Sequence, residues 1–199
     1  LPRDEYEAKA QGENSDRTDE EQQQLAMFEG QLKALGLADS PLDLDASADI
    51  LAGSGTLAYY DSDANEINVL GTDLDVARKV TLVHELTHAW QDQHGYLDKL
   101  DDLDDGPAAT LHAIAEGDAM RIEDAYVDTL SSGQRDDYDS QSQRQADESD
   151  LSGVPEALVT AFSSPYALGG PYVKLLASDG GNAEVDRAMA DPPKAEADI

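Results

Sequence analysis

His84 and His88 flank Glu85 in the segment His84-Glu-Leu-Thr-His88. Two imidazoles at this spacing share one metal ion only if the segment is helical. At ~100° per residue they then stand ~40° apart on one face, one turn from each other. Neutral imidazole is a good zinc ligand, and a carboxylate in the second position falls to one side of the pair. There it can take a proton from a zinc-activated water. His84 and His88 are therefore candidate ligands of Zn2+, and Glu85 is the candidate general base. The embedded Glu85-Leu-Thr-His88 also fits one half of a di-iron helical bundle, but that architecture needs a second Glu-x-x-His on another helix, and the chain has none.

A reactive zinc site usually has three protein ligands and one position for water. Two residues compete for the third place. His94 stands where HExxHxxGxxH sites have theirs, yet Gln91 occupies the position of the bending glycine. On an unbroken helix His94 would sit ~80° from His84 and ~120° from His88, off the metal face. Glu116, in Ala115-Glu-Gly-Asp-Ala119, lies on the next expected helix after a short loop and gives a His2Glu set. The missing glycine favours Glu116, and His94 stays open as the alternative.

The elements that must position these groups follow from apolar spacing and breakers. Residues 1–17 read as a polar tail, with helical periodicity from about Thr18 through Leu25, Phe28, Leu32 and Leu35 to Gly36. A loop and a short helix are expected over 41–52. Two short runs, 55–60 and 66–70, flank the turn-rich Asp61-Ser-Asp-Ala-Asn65, so a β-hairpin is expected. That turn begins like a calcium loop, but Glu66 stands where such loops need Gly. Asp73 can cap a helix running to His94, with Gly95 ending it. An acidic loop, 98–106, precedes a helix starting near Pro107 and running to about Leu130. Residues 131–150 carry almost no apolar side chain and predict a solvated loop or a polar helix, with mobility expected. Beyond Pro155, short helices broken at Pro165, Gly169-Gly-Pro171 and Gly180-Gly181 are expected. The expected fold is α+β: a small sheet, an active-site helix and a mainly helical second half, in one domain over 18–199.

The chain has 199 residues, 43 Asp and Glu against 13 Lys and Arg, and a formal net charge of -30. Such a field repels nucleic acid and anionic membrane surfaces. It keeps a protein soluble but works against the compact state unless salt screens it, which points to a halophilic, acidic protein. There are no cysteines, so disulfides, thiolate metal sites and thiol nucleophiles are all absent. No run approaches the ~20 apolar residues of a membrane helix. The chain starts at Leu1, which leaves room for an upstream export or anchoring segment, and localisation stays open. Its end at Ile199 leaves the same room downstream.

The sequence resembles a family of bacterial and archaeal HExxH proteins in the gluzincin group of zincins. The resemblance rests on four stretches in order: Ala58-Tyr-Tyr-Asp61, His84 to His94, Ala115 to Ala119, and Pro165-Tyr166 with Gly169, Tyr172-Val173 and Pro192-Pro193. It implies a thermolysin-type core with Glu116 as third ligand. Gluzincins often carry Asp four residues after that Glu to orient a zinc histidine. Met120 stands there, and Asp118, Glu123 and Asp124 are nearby substitutes. An oxyanion donor is also needed. Tyr166, Tyr172, His112 and His94 are available, and Tyr166 is preferred for its place in a Gly-rich stretch. The strand over 55–60 would border the cleft and pair with an extended substrate. The expected function is a zinc metallopeptidase acting on a peptide or protein substrate, with Glu85 as base. The alternatives are a non-catalytic zinc-binding module and a zinc hydrolase of non-peptide amides.

Overall fold

The computed structural model describes residues 1–11, 19–38, 42–53 and 56–199. The expected helix start at Thr18, Pro41 at the head of the 41–52 segment, and Gly55 lie outside them. The described residues are mostly helical, with one small antiparallel sheet. Strands β1 (Ala58–Asp61) and β2 (Glu66–Val69) pair with Tyr59 opposite Asn68 and Tyr60 opposite Ile67. Asp61 closes the turn by accepting from the Ala64 N–H at 2.9 Å, and Asn65 takes the left-handed conformation there. This is turn chemistry, in which Asx side chains bond their own backbone.

Part of the expected polar tail is an ordered helix, α1 (Arg3–Gln11). It docks on the hairpin: the Leu1 nitrogen donates to the Val69 carbonyl at 2.6 Å, and Tyr6, 3% exposed, packs edge-on against Tyr59. One buried aromatic in an otherwise polar helix leaves no periodic signal. Helices α2 (Asp19–Ala34) and α3 (Leu44–Gly53) follow. Their Leu32 and Leu51 form a small core with Leu158.

Helix α4 (Val76–Gln93) carries the paired histidines. Its cap is Asp75, not Asp73: the Asp75 carboxylate accepts from the Arg78 N–H at 3.0 Å, and its other oxygen holds the Arg78 guanidinium at 2.6 Å. Gly95, left-handed, ends the helix as expected. The acidic stretch after it is largely a 3-10 helix, Leu97–Asp102, leading into α5 (Asp105–Asp128). The polar segment takes the helical alternative, α6 (Ser132–Glu148), started by a capping box between Ser131 and Gln134. It buries no residue. It is tied down by polar contacts, such as the Ala77 N–H donating to the Gln141 side chain at 2.8 Å.

Of the breaks expected after Pro155, the one at Gly180-Gly181 is present and ends helix α7 (Glu156–Gly180), whereas Pro165, Gly169 and Pro171 lie inside that helix and do not break it. Pro165 cannot donate to the Ala161 carbonyl, and the Ser164 hydroxyl donates to it instead at 2.8 Å. Packing supplies the rest. A Cβ on Gly169 would lie 1.7 Å from the Ala113 carbonyl oxygen, and one on Gly117 2.3 Å from that of Gly169, so α5 and α7 cross at backbone contact. Leu111, Ile114 and Val173 close the main core around that crossing with Val185 and Met189 of α8 (Asn182–Ala190). Among the described residues no helix is long and apolar enough to cross a membrane.

Candidate metal centre

Three elements converge beside the hairpin. Helix α4 presents His84 and His88 from adjacent turns, their rings edge-to-face with centroids 4.7 Å apart. Helix α5 runs alongside and presents Glu116. The α5–α7 crossing fixes the third contribution: Gly169 seats between Ala113 and Gly117, which bracket Glu116, and so brings Tyr166, one turn earlier on α7, against Glu116. A side chain on Gly169 would hold the two helices apart.

Glu116 Oε2 lies 3.1 Å from His84 Nε2 and 3.5 Å from His88 Nε2. One ligand atom from each of the three residues lies within 4.8 Å of the others, so the group could hold a metal ion. Donors at ~2.0–2.1 Å around a tetrahedral ion stand ~3.3 Å apart, which matches both contacts. The outer nitrogens are already used. His84 Nδ1 lies 3.1 Å from Glu123 Oε2, and His88 Nδ1 lies 3.0 Å from Gln91 Oε1. With Nδ1–H donated outward, each Nε2 turns a lone pair or a second proton toward Glu116. Only cations, protons on the rings or one metal ion, let these acceptors face one another.

The electrostatics agree. Burial disfavours a charged His84, but its bonds with Glu116 and Glu123 outweigh this and hold its pKa up, at about 10. His88 is likewise raised against burial by Glu116. Burial of Glu116 is outweighed by His112, His84 and His88, and its carboxyl sits well below the usual range. Glu85 is raised, first by burial, with His88, His84 and the Tyr60 N–H opposing. That N–H donates to Glu85 Oε2 at 2.9 Å and aims the free oxygen.

The group opens onto a cleft of about 630 Å³. One wall is β1. The Leu70 N–H bonds the Leu57 carbonyl, so in an antiparallel ladder residues 57, 59 and 61 face β2 while Ala58 and Tyr60 turn their N–H and C=O to the outer edge. No strand pairs with that edge among the described residues. Asp63, Asp92 and Asp98 line the cleft, and among the described residues no Lys or Arg does.

The structure thus brings His84, Glu85, His88, Glu116 and Tyr166 around one cleft, with His112 at its rim. It leaves His94 outside: that ring is exposed, stacks on Trp90 and bonds the Trp90 carbonyl at 2.7 Å. Tyr172 packs against the main core. Of the three substitutes for the orienting carboxylate, Glu123 meets His84, while Asp118 is held by Arg121 at 2.6 Å and Asp124 by Lys174 at 3.2 Å. Gln91 had figured only as a missing glycine. It is fully buried, holds His88 and donates to the Ala115 carbonyl at 3.1 Å, tying α4 to α5 beside Glu116. Its spacing from His88, one turn onward, was the available signal. Tyr60 was also missed: its hydroxyl donates to Asp92 at 2.6 Å, locking β1 to α4. No protein-family model, no curated protein and no solved structure matches the chain.

Proposed function

We propose that this chain is a zinc-dependent metallopeptidase of the gluzincin kind, with a thermolysin-type core built from β1, α4, α5 and α7. The observation that carries this is the convergence of the His84, His88 and Glu116 donor atoms, with Glu85 beside them, at the floor of a cleft walled by the outer edge of β1, with which no strand pairs among the described residues. Two imidazoles and one carboxylate at tetrahedral spacing suit zinc better than the hard, oxygen-seeking cations. When bound, zinc supplies a Lewis acid for a carbonyl oxygen and lowers the pKa of water next to Glu85.

The remaining work falls to the chain. On the outer edge of β1 the Tyr60 N–H is given to Glu85 and Ala58 is fully buried, so the Tyr60 carbonyl is the main-chain group that this edge offers to an extended peptide. Glu85, its basicity raised by burial and its carboxylate aimed by the Tyr60 N–H, takes the proton of the attacking water and passes it to the leaving amine. Tyr166 keeps its hydroxyl proton, because burial and the charges of Glu116 and Glu85 push its pKa well up. It donates to the carbonyl oxygen as negative charge develops there. The carboxylate-lined wall favours neutral or basic peptides over acidic ones.

The test is hydrolysis of a mixed peptide library in high salt, before and after chelation and zinc return, for wild type and Glu85→Gln. Cleavage that chelation abolishes and zinc restores, and that falls ~10²–10⁴-fold in Glu85→Gln while zinc stays bound, is the expected result. A zinc-loaded wild type that cleaves no peptide, or a Glu85→Gln variant as active as wild type, would overturn it. Turnover of small non-peptide amides alone would move the chain to the amidase alternative.

A further inference from the structure

Each of the three candidate ligands has an outer partner. Glu123 holds His84, Gln91 holds His88, and the third pairing is His112 with Glu116. His112 stands one turn before Glu116 on α5, and its Nε2 lies 3.4 Å from Glu116 Oε1. The Glu116 carboxylate is therefore divided: Oε2 faces the two α4 imidazoles and Oε1 faces His112. The His112 side chain is 54% exposed at the cleft, whereas those of His84 and His88 are 10% and 14% exposed. His112 is not part of the three-residue donor group, so its nitrogen addresses the carboxylate and not the ion's position.

A carboxylate can bind a metal through one oxygen or both. In a site with two histidines and a water, the second oxygen would enter as a fifth ligand and crowd the position that a reactive zinc leaves for water. We propose that His112 is a positioning residue that decides between these modes. Its Nε2–H donates to Glu116 Oε1, holds Glu116 in one-oxygen ligation through Oε2, and keeps the fourth position open toward the cleft. Swinging Oε1 onto the metal would break this hydrogen bond. The donor is present in the neutral Nε2–H ring and in the cation alike, so the role does not depend on the charge of His112. The inference rests on the metal reading above and adds to it what sets the coordination number.

Cobalt(II) replaces zinc in such sites and reports coordination by its visible spectrum: four-coordinate sites absorb strongly, five-coordinate sites weakly. The full chain in high salt, as wild type, His112→Ala and His112→Gln, would be titrated with cobalt(II) alone and its spectrum recorded. The expected result is a strong four-coordinate band in wild type, a several-fold loss of that band in His112→Ala as Oε1 enters, and recovery in His112→Gln, whose amide can donate to the same oxygen. His112 is exposed, so its truncation leaves no core cavity, and far-ultraviolet circular dichroism of each variant checks the fold. Identical cobalt spectra in wild type and His112→Ala would overturn this inference alone. A wild-type chain that binds no cobalt would overturn the metal reading and this inference with it.

Discussion

The Nδ1 of His84 lies 3.1 Å from Oε2 of Glu123, a carboxylate two turns beyond Glu116 on the same helix. A metal-binding histidine that donates its outer N–H to a carboxylate is fixed in tautomer and orientation and gains basicity. Glu123 is itself held, by the Tyr138 hydroxyl of α6 at 3.3 Å. Glu123→Gln should weaken zinc binding ~10–100-fold while leaving the stoichiometry at saturating zinc unchanged. Competition with a chromophoric chelator reads this directly. Asp124→Asn, at a carboxylate paired with Lys174, should leave the affinity as in wild type.

Tyr166 reaches the cleft only because α7 stays helical through its prolines. If it donates to the developing oxyanion, Tyr166→Phe should lower kcat ~10²–10³-fold with little change in KM and full zinc content. Steady-state kinetics on the best peptide from the library decide this. An unchanged kcat would remove Tyr166 from the reaction and leave it as a wall of the cleft.

The α5–α7 crossing should tolerate no side chain. Gly169→Ala puts a methyl group where the Ala113 carbonyl oxygen stands, and forcing the helices apart should cost about 1–3 kcal/mol or more. A second consequence follows from the geometry: Glu116 and Tyr166 lose register, and zinc affinity falls with stability. Gly30→Ala in α2 is the control. A Cβ there meets nothing within 4 Å, and a helix interior gains ~0.5–1 kcal/mol from that exchange. Thermal melts with and without zinc compare the two.

Helix α4 was legible because its chemistry and its periodicity coincide. His84 and His88 fall on one face whatever the rest of the chain does, and the same helical geometry put His94 off that face, where it lies. Glu116 could be read from the next helix, and Glu123 was named beside Asp118 and Asp124. Nothing local ranks those three carboxylates, because the ranking depends on which side of α5 meets α4. Helix α7 was not legible: Pro165, Gly169 and Pro171 are local breakers, and the gain that overrides them comes from α5, some fifty residues away. The docking of α1 failed to register for the same reason, since Tyr6 finds its partner in Tyr59.

If the donor group holds a metal, protons and metal compete for the same pole, which gives the metal-free chain a distinctive pH profile. Against burial, Glu116 and Glu123 lift His84 from 6.5 to about 10, so its contribution to stability is complete below about 6.5 and is lost as pH rises through about 10. Glu116 is depressed from 4.5, so its contribution is present above that value and is lost on acidification. The stripped chain should therefore draw most from this pole between about 4.5 and 6.5 and show a falling Tm toward pH 10. The zinc-loaded chain should hold its Tm over the alkaline range, because metal replaces the protons there. His84→Asn should reduce the alkaline fall of the stripped protein, leaving the part that His88 contributes. A stripped wild type with a flat Tm across that range would contradict the coupling.

The central claim is that His84, His88 and Glu116 together hold one zinc ion and that His94 takes no part. Metal content by mass spectrometry of the protein purified in high salt, for wild type, Glu116→Ala and His94→Ala, tests it most directly. The account predicts one zinc per chain in wild type, its loss in Glu116→Ala and its retention in His94→Ala. Loss of zinc in His94→Ala with retention in Glu116→Ala, or a wild type that takes up no zinc when it is supplied, would contradict it.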